Sequence, residues 1–246
     1  MTLLMYTVWQ DAAEIVSDTL VTAADGRTPV RYQSKVWAIP RLNLAMATTG
    51  TAEIGAALHA QLNADLAIVD VEGANATAPG RLRAIERELI SIAGDIGSTT
   101  VYLFGFPHES ELLSAFKYTS MDGGTFESQR IPAGEFAVKP KPQTFTLSSA
   151  PDAREEKIAL ACRVRDEQLD LMEAGAKAVA IGGELMAFLV ENGSVQAERL
   201  FRFPDYDEAL AMRGDLRETP QPAAPVTSRS TAADVAVERL WLGSAT

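Results

Sequence analysis

The first fifty residues constrain this chain more than any other stretch. From Thr2 to Gly50 they read as short apolar segments, rich in β-branched and aromatic residues and punctuated by compact polar turns. Leu3 to Trp9 predicts a strand, Gln10-Asp11-Ala12 a tight turn, and the following run a second strand ending in Ser17-Asp18. A loop around Asp25-Gly26-Arg27 precedes a third strand that begins Lys35-Val36-Trp37-Ala38-Ile39. Three polar residues stand out against this background: Thr2, Asp18 and Lys35.

Their chemistry is complementary. A small residue behind the initiator Met leads to the expectation that Met1 is removed, which leaves Thr2 with a free α-amine beside its own hydroxyl. Such an amine has a reference pKa of ~7.7–8.0, low enough to accept a proton near neutrality. Nucleophile and base then belong to one residue, the logic of a Ser–His pair compressed into a single threonine. A lysine nearby lowers the cost of forming the alkoxide, and an aspartate fixes that lysine in place.

Thr2, Asp18 and Lys35, followed by the Ala47-Thr48-Thr49-Gly50 corner and a helix predicted over Thr51 to Leu62, resemble the opening of a proteasome-type β subunit. These proteins are N-terminal-nucleophile (Ntn) hydrolases, and the closest likeness in style is to the small bacterial ancestral β subunits. Asp18 stands 16 positions after Thr2, as in the family; Lys35 stands 33 after it, one more than usual. The Gly50 corner is displaced by the same single residue, so one insertion in the Asp25-Gly26 loop accounts for both. The resemblance implies an α+β fold, a four-layer αββα sandwich of two antiparallel sheets flanked by helices. It also implies a threonine-type peptidase or amidohydrolase working inside a homo-oligomeric ring or stacked assembly on peptide or protein substrates. Backbone N–H groups at the Thr49-Gly50 corner would receive the oxyanion, and Ser148 or Ser149 would supply a hydroxyl that orients the threonine amine. Two departures accompany the likeness. The family's Gly-Ser-Gly-Ser wording is absent around Ser148, and Ala176-Lys177-Ala178 holds no acid ahead of Gly182-Gly183, where the family places one.

Composition narrows the alternatives. With 246 residues, 47% hydrophobic and 22% charged, the chain can bury a substantial core in one large domain. No run approaches the ~18 apolar residues of a spanning helix, and Met-Thr-Leu-Leu-Met-Tyr lacks the basic start of a signal peptide. A formal charge of −11, from 33 acidic and 22 basic residues, disfavours nucleic acid and anionic membrane as partners. Cys162 has no second cysteine to pair with, and reads as a small half-buried residue in a reduced, cytoplasmic setting. His59 and His108 are both read as surface residues, and nothing in the sequence sets either beside Cys162. No residue cluster has metal-ligand spacing, and no cofactor is expected.

Further along, Ile54, Leu58, Leu62 and Leu66 make one apolar stripe, and Glu72 to Gly80 reads as a flexible connection. Arg81 to Ala93 predicts a second helix, with Leu82, Ile85, Leu89 and Ile92/Ala93 inward. Strand-like runs follow at Thr99 to Phe106, Glu111 to Met121 and Thr125 to Ile131. Pro132, Pro140 and Pro142 disfavour an inner strand between them. Thr144 to Leu147 is a candidate short strand. A third helix is expected from about Asp152 to about Met172, with Ile158, Cys162, Val164/Arg165, Leu169 and Met172 inward. Ala178 to Val190, an apolar run broken at a Gly182-Gly183 corner, the Asn192-Gly193 turn and Val195 to Phe203 predict a final hairpin, and the resemblance implies that this Gly-Gly lies next to the active centre. Residues 1–205 form the expected Ntn-hydrolase domain. Residues 206–246 form a Pro-rich linker and a short C-terminal helix that docks on its own or a neighbouring subunit. Two functions fit: an active threonine hydrolase, or a proteasome-like protein kept for self-assembly or binding with little turnover.

Overall fold

The computed structural model of the chain describes residues 2–23, 25–94, 96–120, 125–147, 149–204 and 206. Twelve strands and three α-helices lie within them. The strands are β1 (Leu4–Val8), β2 (Ala12–Asp18), β3 (Leu20–Thr22), β4 (Pro29–Tyr32), β5 (Val36–Ile39) and β6 (Leu44–Thr49), then β7 (Thr100–Gly105), β8 (Ser114–Thr119), β9 (Gln129–Ile131), β10 (Phe136–Lys139), β11 (Glu184–Glu191) and β12 (Ser194–Arg202). The helices are α1 (Ala52–Ala64), α2 (Val71–Ala93) and α3 (Arg154–Glu173). The predicted tail, the turn at 121–124 and Ser148 fall outside the described residues.

Two five-stranded antiparallel sheets carry the fold. The first runs β10-β1-β2-β11-β12 and the second β5-β6-β7-β8-β9. Alternation of side chains along each strand sorts them into three cores. Leu4, Tyr6, Ala13 and Ile15 of the first sheet meet Ala45, Ala47, Tyr102 and Phe104 of the second between the sheets. Leu3, Met5 and Val16 point the other way, onto Ala161 and Val164 of α3. Leu44, Met46, Val101 and Leu103 pack on Ile54 and Leu58 of α1 and on Ala74, Ala78 and Leu82 of α2. Strand β1 is thus buried on both faces, which is why its sequence is a continuous apolar run rather than an alternating one.

Several expectations are corrected. Residues 72–80 are no loop but the first half of α2. Asp70 caps that helix by accepting from the Gly73 N–H at 2.8 Å, and Val71, Ala74, Ala78, Leu82 and Ile85 form one buried stripe. Pro79 inside the helix costs about 3 kcal/mol, but burying several such side chains at roughly 1.5–3 kcal/mol for each large one outweighs it. The two helix-poor glycines and the proline hid a stripe whose early members are small.

Helix α1 ends at Ala64, leaving Leu66 80% exposed rather than on the stripe, and the buried stripe of α2 stops short of its last turn, where Ile92 and Ala93 are exposed rather than inward. In α3 the buried positions are Ala161, Val164, Glu167 and Gln168, while Leu169 is exposed. Glu167 explains a further miss. Its Oε1 accepts from the N–H groups of Gln143 (2.8 Å) and Thr144, so the entry to 144–147 is tied to a helix side chain rather than to a sheet, and the stretch forms no strand. The Pro-bounded stretch does contain a strand, β10, at the edge of the first sheet, where prolines are tolerated. A small β3–β4 hairpin also lies inside the predicted Asp25 loop; Asp25 closes it by accepting from the N–H groups of Arg27 and Thr28. His108 is exposed as expected, whereas His59 is half-buried and stacks on Trp37 at 6.1 Å between ring centroids.

Candidate active site

The site assembles where four strand ends converge: the start of β1, the end of β2, the start of β5 and the end of β6. Antiparallel pairing sets Leu4 against Ser17, which places Asp18 beside the chain's first described residues. Asp18 is fully buried, and three donors surround its carboxylate. Lys35 Nζ lies 2.7 Å from Oδ1, the Leu3 N–H donates to Oδ1 at 3.0 Å, and the Gly182 N–H donates to Oδ2 at 3.2 Å. The Lys35 side chain is 6% exposed. Ser17 Oγ completes the clamp by donating to the Leu3 carbonyl at 3.0 Å.

The peptide immediately after Thr2 is therefore held by the same carboxylate that holds Lys35. Thr2 is itself 5% exposed. Leu4 and Tyr6 point between the two sheets, and a strand's period of two continues that face to Thr2. Burial pushes the Lys35 ammonium below its ordinary range, against the attraction of Asp18. Burial likewise pushes the Asp18 carboxyl up, against Lys35 and the two backbone donors. The pair is dry, close and satisfied by hydrogen bonds, the condition under which a buried ion pair is tolerable.

The surrounding backbone is rigid. The Lys35 carbonyl accepts from the Thr48 N–H at 3.0 Å, tying the lysine's own backbone to the end of β6. Two residues on, Gly50 adopts φ +100°, and a Cβ there would sit 2.2 Å from the Ser98 carbonyl oxygen. Only glycine fits that corner. Gly183, at φ +78°, plays the matching part beside Asp18; its Cβ would fall 2.4 Å from Thr19 Oγ1, which accepts from the Glu184 N–H at 2.8 Å.

Of the residues singled out from the sequence, the structure brings Asp18 and Lys35 into contact, seats Thr2 at the head of the strand they grip, and sets Gly50 at the end of the strand tied to Lys35. Ser149 is exposed in the stretch leading to α3, and Ser148 lies outside the described residues. The resemblance sets Gly182-Gly183 next to the active centre, but neither Ser17 nor the Gly182 N–H was anticipated as a hydrogen-bond donor there. Ser17 adjoins Asp18 in sequence, but the role of Gly182 depends on a pairing across 164 residues that no local pattern signals. Among the described residues, no three His, Cys, Asp or Glu side chains are placed to share a metal ion, and no helix is long and apolar enough to cross a membrane.

The architecture is a mixed α/β one in which antiparallel sheets meet at a buried Asp–Lys pair beside the chain's start. Its overall fold is that of the Anbu proteins among solved structures. The chain is similar to Anbu (ancestral beta-subunit) from Yersinia bercovieri, at a TM-score of 0.56 and 12% identity over 89% of this chain and 100% of that one. It is similar also to an Anbu (Gly-1) mutant from Hyphomicrobium sp. strain MC1, at a TM-score of 0.54 and 13% identity over 90% and 100% respectively. At these identities the likeness is one of fold. No protein-family model and no curated protein matches the sequence.

Proposed function

We propose that the chain is a threonine-type N-terminal-nucleophile hydrolase, built as a four-layer αββα sandwich and acting on peptide or amide bonds within a self-assembled oligomer. One observation carries this reading: a fully buried Asp18–Lys35 pair whose carboxylate also grips the peptide directly after Thr2. With Met1 removed, Thr2 Oγ1 attacks the scissile carbonyl and the Thr2 amine takes the hydroxyl proton, directly or through water. Lys35 favours the alkoxide electrostatically, and Asp18 fixes Lys35. Backbone N–H groups at the Thr49–Gly50 corner receive the oxyanion. The leaving amine takes the proton from the threonine amine, and water then hydrolyses the acyl-enzyme. The resemblance offers Ser148 or Ser149 as the hydroxyl that orients the amine.

A second reading is a self-assembling protein with little turnover. It is favoured by Ala176-Lys177-Ala178, which offers no acid ahead of Gly182 to orient the amine. Intact-mass measurement after treatment with a peptide epoxyketone or β-lactone separates the two. Loss of one Met and a single adduct, abolished by Thr2→Ala, are expected of the hydrolase. A retained Met1 with no adduct would overturn it and leave the assembly reading.

A further inference from the structure

A second cation stands on the other side of β1, and the mechanism above makes no use of it. Register places Lys139 of the edge strand β10 opposite Leu4, two residues from Thr2 along the same face. The alternation along β10 sends Val138 toward α3 and Ala137 between the sheets, and so Lys139 between the sheets as well. There its Nζ donates to Thr100 Oγ1 at 3.1 Å and lies 5.4 Å from the centre of the Tyr102 ring. Thr49, Thr100 and Thr119 pair across β6, β7 and β8 as a row of hydroxyl side chains, and Tyr102 pairs with Lys117 in the next row. A lysine pointed between two sheets normally meets a carboxylate. Here, among the described residues, neither Lys139 nor Lys117 is in an ion pair. The group that bears on Lys139 electrostatically is Lys117, which repels it. Glu135, the acid whose charge bears on Tyr102, is engaged by the Tyr6 hydroxyl at 2.6 Å. The Tyr102 hydroxyl is buried with no hydrogen-bond partner among the described residues. In a chain with 33 acidic residues, two unneutralised lysines flanking an unsatisfied tyrosine mark a place built for an anion from outside.

We propose that Lys139, held by the Thr100 hydroxyl over the Tyr102 ring, is the counter-charge for a substrate carboxylate, so that the site prefers peptides carrying an acidic side chain or a free C-terminus close to the scissile bond. The inference deepens the hydrolase reading and rests on its placement of the reacting group at Thr2. Lys139 is a binding and specificity residue, with no part in proton transfer. Burial, with Lys117 close by, pushes the Lys139 ammonium down to about 8. Its positive charge, and with it the preference for carboxylates, is therefore present below that pH and lost as pH rises through it.

The test measures binding on the full chain carrying Thr2→Ala, so that turnover is not needed. Fluorescent hexapeptides ending in amidated Asp, amidated Asn and Asn with a free carboxylate are titrated by anisotropy at pH 7 and pH 9.5. At pH 7 one or both carboxylate peptides are expected to bind about tenfold tighter than amidated Asn; which of the two does so identifies the source of the anion. The advantage disappears at pH 9.5 and in Lys139→Met. In Lys139→Arg, which keeps its charge at both values, it persists at pH 9.5. Equal binding of all three peptides, absence of binding by any of them, or a preference unmoved in Lys139→Met overturns the proposal. If Lys139→Met does not fold, the pH 9.5 behaviour of Lys139→Arg decides. Mass analysis of the chain with Thr2 intact keeps the two readings apart: Lys139-dependent binding without an electrophile adduct would remove the hydrolase and leave the anion subsite.

Discussion

Removing the Asp18 carboxylate leaves Lys35 buried with a charge and no counter-ion. The cost can be bounded from the site itself. Breaking a buried pair by deleting one partner costs about 3–5 kcal/mol. Lys35 can always escape by losing its proton, which at pH 7 costs about 4.6 kcal/mol from a reference pKa of ~10.4. The two limits agree, so the charge penalty is about 3–5 kcal/mol. Asp18→Ala also strips the Leu3 and Gly182 N–H groups of their acceptor, at about 1–3 kcal/mol for each one that water does not reach. With one of the two left dry, a total loss of about 4–8 kcal/mol is therefore expected, a large part of the 5–15 kcal/mol that holds a typical domain folded. Lys35→Met placed on top of Asp18→Ala removes the stranded charge but not the orphaned N–H groups, and should recover about 2–4 kcal/mol. The sign with pH follows too. In Asp18→Ala the folded pKa of Lys35 falls further below its unfolded value, so the unfolded chain binds more protons and stability rises as pH climbs from 7 toward 10. Urea unfolding followed by circular dichroism, at one fixed protein concentration, measures all three proteins. Asp18→Ala within about 1 kcal/mol of wild type, or a double variant no more stable than Asp18→Ala, would refute the account of the pair.

Other consequences are more local. Lys35→Ala should lower turnover of a peptide substrate by about a hundredfold or more while size-exclusion behaviour stays that of wild type; wild-type turnover would remove Lys35 from the chemistry. Gly50→Ala forces a Cβ to 2.2 Å from the Ser98 carbonyl at a φ of +100°, and should cost about 2–4 kcal/mol by thermal unfolding and abolish the electrophile adduct. Glu167→Ala should speed hydrogen exchange at the amides of 143 and 144 by at least tenfold and leave the Asp18–Lys35 centre protected. Burial works against ionisation of Glu167, but its Thr144 and Gln143 donors prevail and hold it below the usual carboxylate range. The same protection in wild type is therefore present near neutrality and lost as pH falls through that lowered value.

What could be read in the sequence was whatever local chemistry dictates. The strand–turn–strand opening, the Asn192–Gly193 hairpin and the Asp18–Lys35 partnership all follow from residues close in sequence or from the spacing of a few polar groups. The errors share a different cause. Residues 72–80 look like a loop because glycine, proline and alanine carry little propensity. Their helicity comes from the sheet surface against which Val71, Ala74 and Ala78 pack. Thr144 to Leu147 has strand composition, yet the Thr144 amide, with that of Gln143 before it, is claimed by Glu167 from a helix that begins ten residues after Thr144. Gly182 was legible as a corner but not as a donor to Asp18, and Lys139 gave no signal until β10 was paired with β1. In each case the missing information was a tertiary partner.

The choice between hydrolase and inert assembly turns on what a fold gains from Asp18 and Lys35. A packed apolar pair of the same volume would relieve a desolvation that two charges barely recover in each other, a gain of up to about 1–4 kcal/mol, set against about 1–3 kcal/mol for each of the Leu3 and Gly182 N–H groups that then lacks an acceptor. The neighbouring positions show what this fold does where only packing is required: Leu3, Leu4 and Val16 are apolar and buried. An ion pair at the centre of such a lattice therefore brings packing little, and the hydrolase reading proposed above gives its field a use. The field acts on the head of β1, because Asp18 grips Lys35 and the peptide following Thr2 with the same oxygen atom. On that reading a cation fixed there would lower the energy of negative charge on the Thr2 hydroxyl, which a leucine–methionine pair cannot supply.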